Sequence, residues 1–293
     1  MRNKKNIGAV LILFLTAAIW GSSFVFQKCA ADQLPSSSVV AGRFTIASIL
    51  LMVITAKKWK TMDRGCLWGG FLAGFTLSLG QILQTLAMAL GTSPGKCAFL
   101  TAAYVVVVPF LCWFFLKERP KKNHLLSAVI CLIGIGLISL NGGGKMMLGD
   151  IVTLICSVVY ALNIVAIAVY SPGRDPIVFT MVQIVTAAVC GWIGVPFTGG
   201  LPETISLEAA GSVLYLALFC TALCLSLQTI GLKYVNATVA TVILSLESVF
   251  GVLFSVLLYH EVLTVRMSIG FAVVFGAVLI SQIERTPKED TIS

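Results

Sequence analysis

Charge is scarce in this chain. Asp, Glu, Lys and Arg make up 11% of its 293 residues, less than half the roughly 25% of an ordinary soluble domain. Hydrophobic residues make up 58%, so too few polar groups remain to clothe a water-facing surface, and a soluble globular domain is excluded. Histidine is rarer still, with His124 and His260 alone. Neither belongs to an H-E-x-x-H arrangement, and a zinc centre needs further ligands at helical spacing that are missing around them. No G-x-S-x-G elbow occurs. The run from Gly91 to Cys97 is one residue short of a phosphate loop between its glycines, and Cys stands where Ser or Thr should hold magnesium. Metal, nucleotide and nucleophile chemistry are left without residues, so the chain is not expected to be an enzyme and no cofactor is called for.

Cysteine is present nine times, yet no C-x-x-C occurs. Cys112, Cys131, Cys156, Cys190, Cys220 and Cys224 sit inside apolar runs, where a thiol behaves as a small hydrophobe. The net charge of +8 comes from short basic runs between apolar spans rather than from one patch. Such runs set membrane topology and do not point to nucleic acid.

A bilayer-spanning helix needs about 20 mostly apolar residues. Spans of that kind are expected at Ile7–Phe26, Ser37–Ala56, Cys66–Leu90, Cys97–Leu116 and His124–Leu140. The uncharged run from Gly65 to Gly95 is too long for one upright helix, and Gly91-Thr92-Ser93-Pro94-Gly95 breaks it. Five more follow at Ile151–Tyr170, Ile177–Phe197, Ala209–Leu232, Ala237–Tyr259 and Met267–Ile283. Asn141-Gly142-Gly143-Gly144 reads as a linker, and the polar tail from Glu284 to Ser293 as disordered. With the N-terminus cytoplasmic, fifteen basic residues fall on the inner side. Only Lys28, Lys96, Lys145 and Arg266 fall outside, and Arg43 lies within a span. Both termini are then expected on the cytoplasmic side of a cell (inner) membrane crossed several times, with Arg2, Lys4 and Lys5 heading an uncleaved signal-anchor.

The chain also repeats itself. At a spacing of 143, Glu118 falls on Glu261 and Tyr104 on Glu247, while Gln84-Thr85 is echoed by Gln228-Thr229 at a spacing of 144, one residue off register. The expected fold is therefore an all-α membrane protein of ten helices, built as two five-helix repeats over residues 1–144 and 145–293. Five is odd, so the second repeat is inverted, which puts a binding site near the midplane where the halves meet.

Arg43 and Glu247 are read as the ionisable residues well within spans, and buried charges pair or face water. Two readings stay open: an ion pair locking the halves, or direct handling of substrate or proton. Glu247 suits a substrate ammonium or a proton, and Arg43 a carboxylate. Trp20 beside Ser22 and Ser23, and Tyr160 near Asn163, are read either as interhelical glue or as cavity lining. Gln81, Gln84, Gln183 and Gln228 are weaker candidates of the same kind. Pro109 removes one helix hydrogen bond and should kink the fourth span. Glu118 and Glu261, at span ends, suit basic neighbours or the N-terminus of the next helix.

Taken in order and in both halves, these stretches resemble a known family. Trp20-Gly21-Ser22-Ser23-Phe24, Tyr104 through Pro109, Leu246-Glu247-Ser248-Val249-Phe250 and the two terminal glutamates are similar to the drug/metabolite transporter superfamily. The nearest branch is its EamA-type ten-helix metabolite transporters, and the likeness runs from Ile7 to Ile283. It implies a substrate cavity between the repeats, lined mainly by the first four helices of each, with Trp20, Ser23, Tyr104, Tyr160 and Glu247 near the pathway. It also implies transport of a small-molecule substrate across the lipid bilayer, with export of amino acids or related metabolites foremost and efflux of drugs or cationic amphiphiles as the alternative. Proton coupling and a homodimer are both compatible with it. Two departures stand out: Ser248 where many members have Pro, and Tyr259-His260-Glu261 where Leu-Gly-Glu is more usual.

Overall fold

The computed structural model describes residues 2–117, 119–140, 146–225, 227–228 and 237–281, with side chains described except at 2–6 and 237–242. Among the described residues all regular structure is helical. The first repeat holds α1 (Arg2–Ala31), α2 (Ser36–Thr55), α3 (Arg64–Ala89), α4 (Pro94–Ala102), α5 (Tyr104–Leu116) and α6 (Lys122–Ser139). The second holds α7 (Leu148–Tyr170), α8 (Pro176–Gly194), α9 (Leu207–Tyr215), α10 (Ala237–Leu258) and α11 (Val265–Ser281). A π-helical stretch, Leu216–Leu223, continues α9. Among the described residues seven spans are long and apolar enough to cross a bilayer, and Leu207–Leu223, Ile243–Leu258 and Val265–Ser281 are shorter apolar helices. Together they make ten, with α4 and α5 as two pieces of one span.

Local chemistry explains the boundaries. Gly91, at φ 99°, takes the left-handed turn that stops α3, with Thr92 N–H donating to the Ala87 carbonyl and Gly91 N–H to that of Met88. Pro94 then opens α4 at a position where no N–H is needed. Asp63 caps α3 by accepting from Cys66 N–H, and Asp175 caps α8 by accepting from Ile177 and Val178 N–H.

The fourth span differs from the single helix expected at Cys97–Leu116. It breaks at Ala103, six residues before Pro109 rather than at it. Ala103 N–H turns to the Leu100 carbonyl, and Val106 and Val107 N–H both turn to that of Ala103. The first span is also longer than Ile7–Phe26: α1 runs on to Ala31 and draws Lys28 inside the fold, 7% exposed.

Packing follows the repeat. α1 lies along α10, α3 along α7 and α8, and α6 along α11. Phe44, Val178, Met181 and Ile184 form one core between α2 and α8, and Phe99, Ile138, Phe271 and Val274 another among α4, α6 and α11. Outward, Val53, Phe114, Val129, Leu132 and Ile193 are exposed; in water this would be a large apolar patch, and in a bilayer it is the lipid-facing surface.

Candidate functional site

Two residues related by an inverted repeat and near its axis must lie close together. Tyr104 and Glu247 do so. Tyr104 opens α5 just after the break in the fourth span, Glu247 sits mid-way along α10, and both line one cleft with Phe24, Thr101, Ser248 and Val278. Among the described residues the Glu247 carboxylate accepts no hydrogen bond and forms no ion pair within 4 Å. The Arg43–Glu247 salt bridge left open by the sequence is therefore not formed in this structure.

Arg43 is 6% exposed and sits in a web of neutral groups instead. Its Nε donates to Thr221 Oγ1 at 2.9 Å, and its Nη1 to Gln81 Oε1 at 3.2 Å and Gln27 Oε1 at 3.5 Å. The Gln27 amide in turn donates to Gln84 Oε1 at 3.2 Å and Thr85 Oγ1 at 2.9 Å. Gln84 donates to Thr101 Oγ1 at 3.1 Å and accepts from Tyr160 Oη at 3.3 Å. Helices α1, α2, α3, α4, α7 and the π-helical stretch are thus joined by one polar network that reaches the cleft through Thr101. π turns recur at functional positions because the extra residue rotates a helix face; here the turn carries Thr221 to Arg43.

The remaining candidates are distributed around this network. Trp20 is half-buried and its indole N–H donates to the Cys220 carbonyl at 2.7 Å, while Ser23 Oγ donates to the Trp20 carbonyl at 2.6 Å. Asn163 is buried and donates to the Ala73 carbonyl at 2.6 Å and Thr76 Oγ1 at 3.2 Å, tying α7 to α3. Gln228 is half-buried beyond the π-helical stretch, and Pro109 half-buried in α5. Glu118 lies outside the described residues.

Glu261 reaches a helix N-terminus, but not that of the next helix. Its carboxylate accepts from Gly95 N–H at 3.0 Å and from the hydroxyls of Ser93 and Ser255, so it clasps the start of α4 in the opposite repeat. Beside it, Asp150 is fully buried, bonded to Lys96 at 2.9 Å and to Thr92 Oγ1 at 3.0 Å. Lys28 pairs with Asp32 and donates to the Met88 carbonyl at 3.0 Å. Arg43 and Glu247 are therefore not the only ionisable groups packed inside the fold. Asp150, Lys28 and Lys96 escape a sequence reading because they stand at span ends, where charge is ordinarily solvated. Gln27 and Thr221 were missed too, since uncharged polar residues in a span carry no signal that separates glue from network.

Comparison with known proteins agrees with this geometry. The model of the EamA-like transporter family matches twice, over residues 7–140 and 147–282. A protein of Archaeoglobus fulgidus, described as an uncharacterized transporter, is 30% identical over 276 residues, covering 94% of this chain and 86% of its own. The uncharacterized transporter YetK of Bacillus subtilis is 24% identical, with 96% of this chain and 89% of its own covered. A crystal structure with 17% identity superposes at a TM-score of 0.64 over 94% of this chain and 96% of that one, a likeness of fold alone. With its ten apolar helices, the doubled match and relatives described as transporters, the chain belongs to the EamA-like transporter family.

Proposed function

We propose that this transporter exports amino acids or closely related small metabolites by alternating access, with Glu247 receiving the substrate ammonium or a proton. The observation that carries the reading is the Glu247 carboxylate, without a partner among the described residues, in a cleft where symmetry-related helices meet. A carboxylate at membrane depth is costly, and one without an internal partner fits a site that a cation visits. Tyr104, Thr101 and Ser248 in the same cleft add hydroxyls for orienting a small polar substrate.

Two five-helix repeats meeting near residue 144 would rock about this cleft, and the broken fourth span with Pro109 would absorb the bending. The face where Glu261, Asp150, Lys96 and Lys28 are bonded is the closed one in this reading. The distribution of basic residues supports a cytoplasmic N-terminal face, and this reading puts the protein in the inner membrane. Lys28 and Lys96, two of the four basic residues assigned to the outer face, are paired with Asp32 and Asp150, which lowers that face's unbalanced positive charge further. A second reading, efflux of cationic amphiphiles, draws on the rings of Phe24 and Tyr104 in the cleft with Glu247.

Proteoliposomes loaded with mixed amino acids, with efflux followed by mass spectrometry, test the proposal. Selective efflux is expected from the wild type, with Glu247→Gln at least about tenfold slower. If the carboxylate carries the proton, that variant also loses the pH dependence of the remaining flux. Organic-cation efflux without amino-acid efflux would overturn the first reading in favour of the second.

A further inference from the structure

We propose that Arg43 is the anion-receiving half of the substrate site and restricts transport to molecules carrying a carboxylate. The inference rests on the transport reading above and deepens it. A guanidinium carries five donors in a planar fork. Three hydrogen bonds are made here, from Nε to Thr221 and from Nη1 to Gln27 and Gln81. Nη2 has no partner among the described residues. Every acceptor is neutral, so the buried charge is held in place without being balanced. Asp150 is occupied by Lys96, and Glu247 lies beyond ion-pair distance.

The partners are also fixed in orientation. Gln27 spends its amide N–H groups on Gln84 and Thr85, leaving its oxygen for Arg43. Thr221 donates its own hydroxyl hydrogen to the Leu216 carbonyl at 2.9 Å, leaving a lone pair for Arg43. The cradle thus leaves the two N–H donors of Nη2 as the spare end of the cation, and a carboxylate oxygen placed there takes a charge-assisted hydrogen bond. A single buried charge is costly until such a counterion arrives. The network links this cradle through Gln84 and Thr101 to the Glu247 cleft, so one zwitterion has an anion site and a cation site in the same polar system.

The test uses matched triplets in proteoliposomes: a neutral amino acid, its carboxamide and its decarboxylated amine. Wild-type protein is expected to move the acid at least about tenfold faster than the carboxamide. In Arg43→Gln the acid should fall to the carboxamide rate, and Arg43→Lys should keep the preference in weakened form. Equal wild-type rates for acid and carboxamide, or an undiminished preference in Arg43→Gln, would overturn the proposal while transport itself stands. Movement of the amine alone overturns it and favours the cationic reading, and no movement of any member by folded protein overturns it together with the amino-acid reading. Folding is followed by monodisperse elution in detergent. If Arg43→Gln does not fold, the wild-type comparison and Arg43→Lys decide by the same criteria.

Discussion

Lys117 and His260 hold a backbone conformation that side chains avoid, at φ 62° and 56°. They stand 143 residues apart, each immediately before a terminal glutamate. The left-handed turn ends the helix abruptly, and in the second repeat it lets Glu261 N–H return to the Ser255 carbonyl at 3.1 Å while the carboxylate swings to α4. This gives a physical reason for glycine in the more usual Leu-Gly-Glu ending, since only glycine enters that region freely. His260→Gly is therefore expected to raise stability by roughly 1 kcal/mol, seen as a higher melting temperature in detergent. A lowered melting temperature would show that the imidazole makes contacts worth more than the strain. The position of Glu261 at a span end is legible in the sequence. Its partners are not, because Ser93 lies 168 residues away and no local pattern marks it.

Among the elements, the crossing of α1 and α10 fixes where Glu247 sits. A Cβ on Gly21 would lie 2.3 Å from Phe250 Cβ and 2.9 Å from the Glu247 carbonyl, so only glycine allows this approach. Gly21→Val is expected to cost roughly 1–3 kcal/mol and to lower the yield of folded protein by displacing α10. Wild-type melting behaviour in this variant would mean that the helices are not so closely packed. The tightness of the crossing is not visible in Trp20-Gly21-Ser22, where a small residue fits both loose and close packing. The break in the fourth span was half legible: Pro109 signals a lost hydrogen bond, but the ladder opens upstream at Ala103, where the helix meets the cleft.

Across the whole molecule the two faces are held differently. Opposite the N-terminus, the buried Lys96–Asp150 pair joins the repeats; the positions 143 residues away, Val239 and Ile7, carry no charge. Removing one partner of a buried pair leaves an uncompensated charge, so Asp150→Asn should destabilise by about 3–5 kcal/mol. Adding Lys96→Gln should recover much of that loss and raise maleimide labelling of buried Cys97 beside it, read by mass spectrometry. Unchanged labelling would show that the pair does not hold this face shut. On the N-terminal face, Arg174 bonds Asp63 through Nε at 2.9 Å and Nη2 at 3.0 Å, and Lys58 bonds Asp175 at 2.8 Å. The hydrogen-bonding Arg174 fork, with Cys66 N–H, holds the Asp63 carboxyl well below the usual carboxylate range, and the hydrogen bond from Lys58 lowers that of Asp175. Both values are depressed in the folded state. Their contribution is complete above the ordinary carboxylate range, near pH 4, and is lost as pH falls through the folded-state values. Acid should lower the melting temperature of Asp63→Asn less steeply than that of wild type, and parallel acid profiles would refute the assignment.

The sequence by itself determined that this is a ten-helix membrane protein built twice over, because hydrophobic length, basic asymmetry and a 143-residue spacing are written along the chain. It also singled out Glu247, Tyr104 and Arg43, since charge and symmetry at membrane depth are costly or conspicuous wherever the helices pack. Only the tertiary structure decided that Tyr104 and Glu247 share a cleft, that Arg43 is cradled by Gln27, Gln81 and Thr221 rather than by Glu247, and that Glu261 clasps the opposite repeat. The physical reason is range. Hydropathy and periodicity act over a turn or a span, whereas these contacts depend on helix rotation and crossing, set by close packing between residues far apart in the chain.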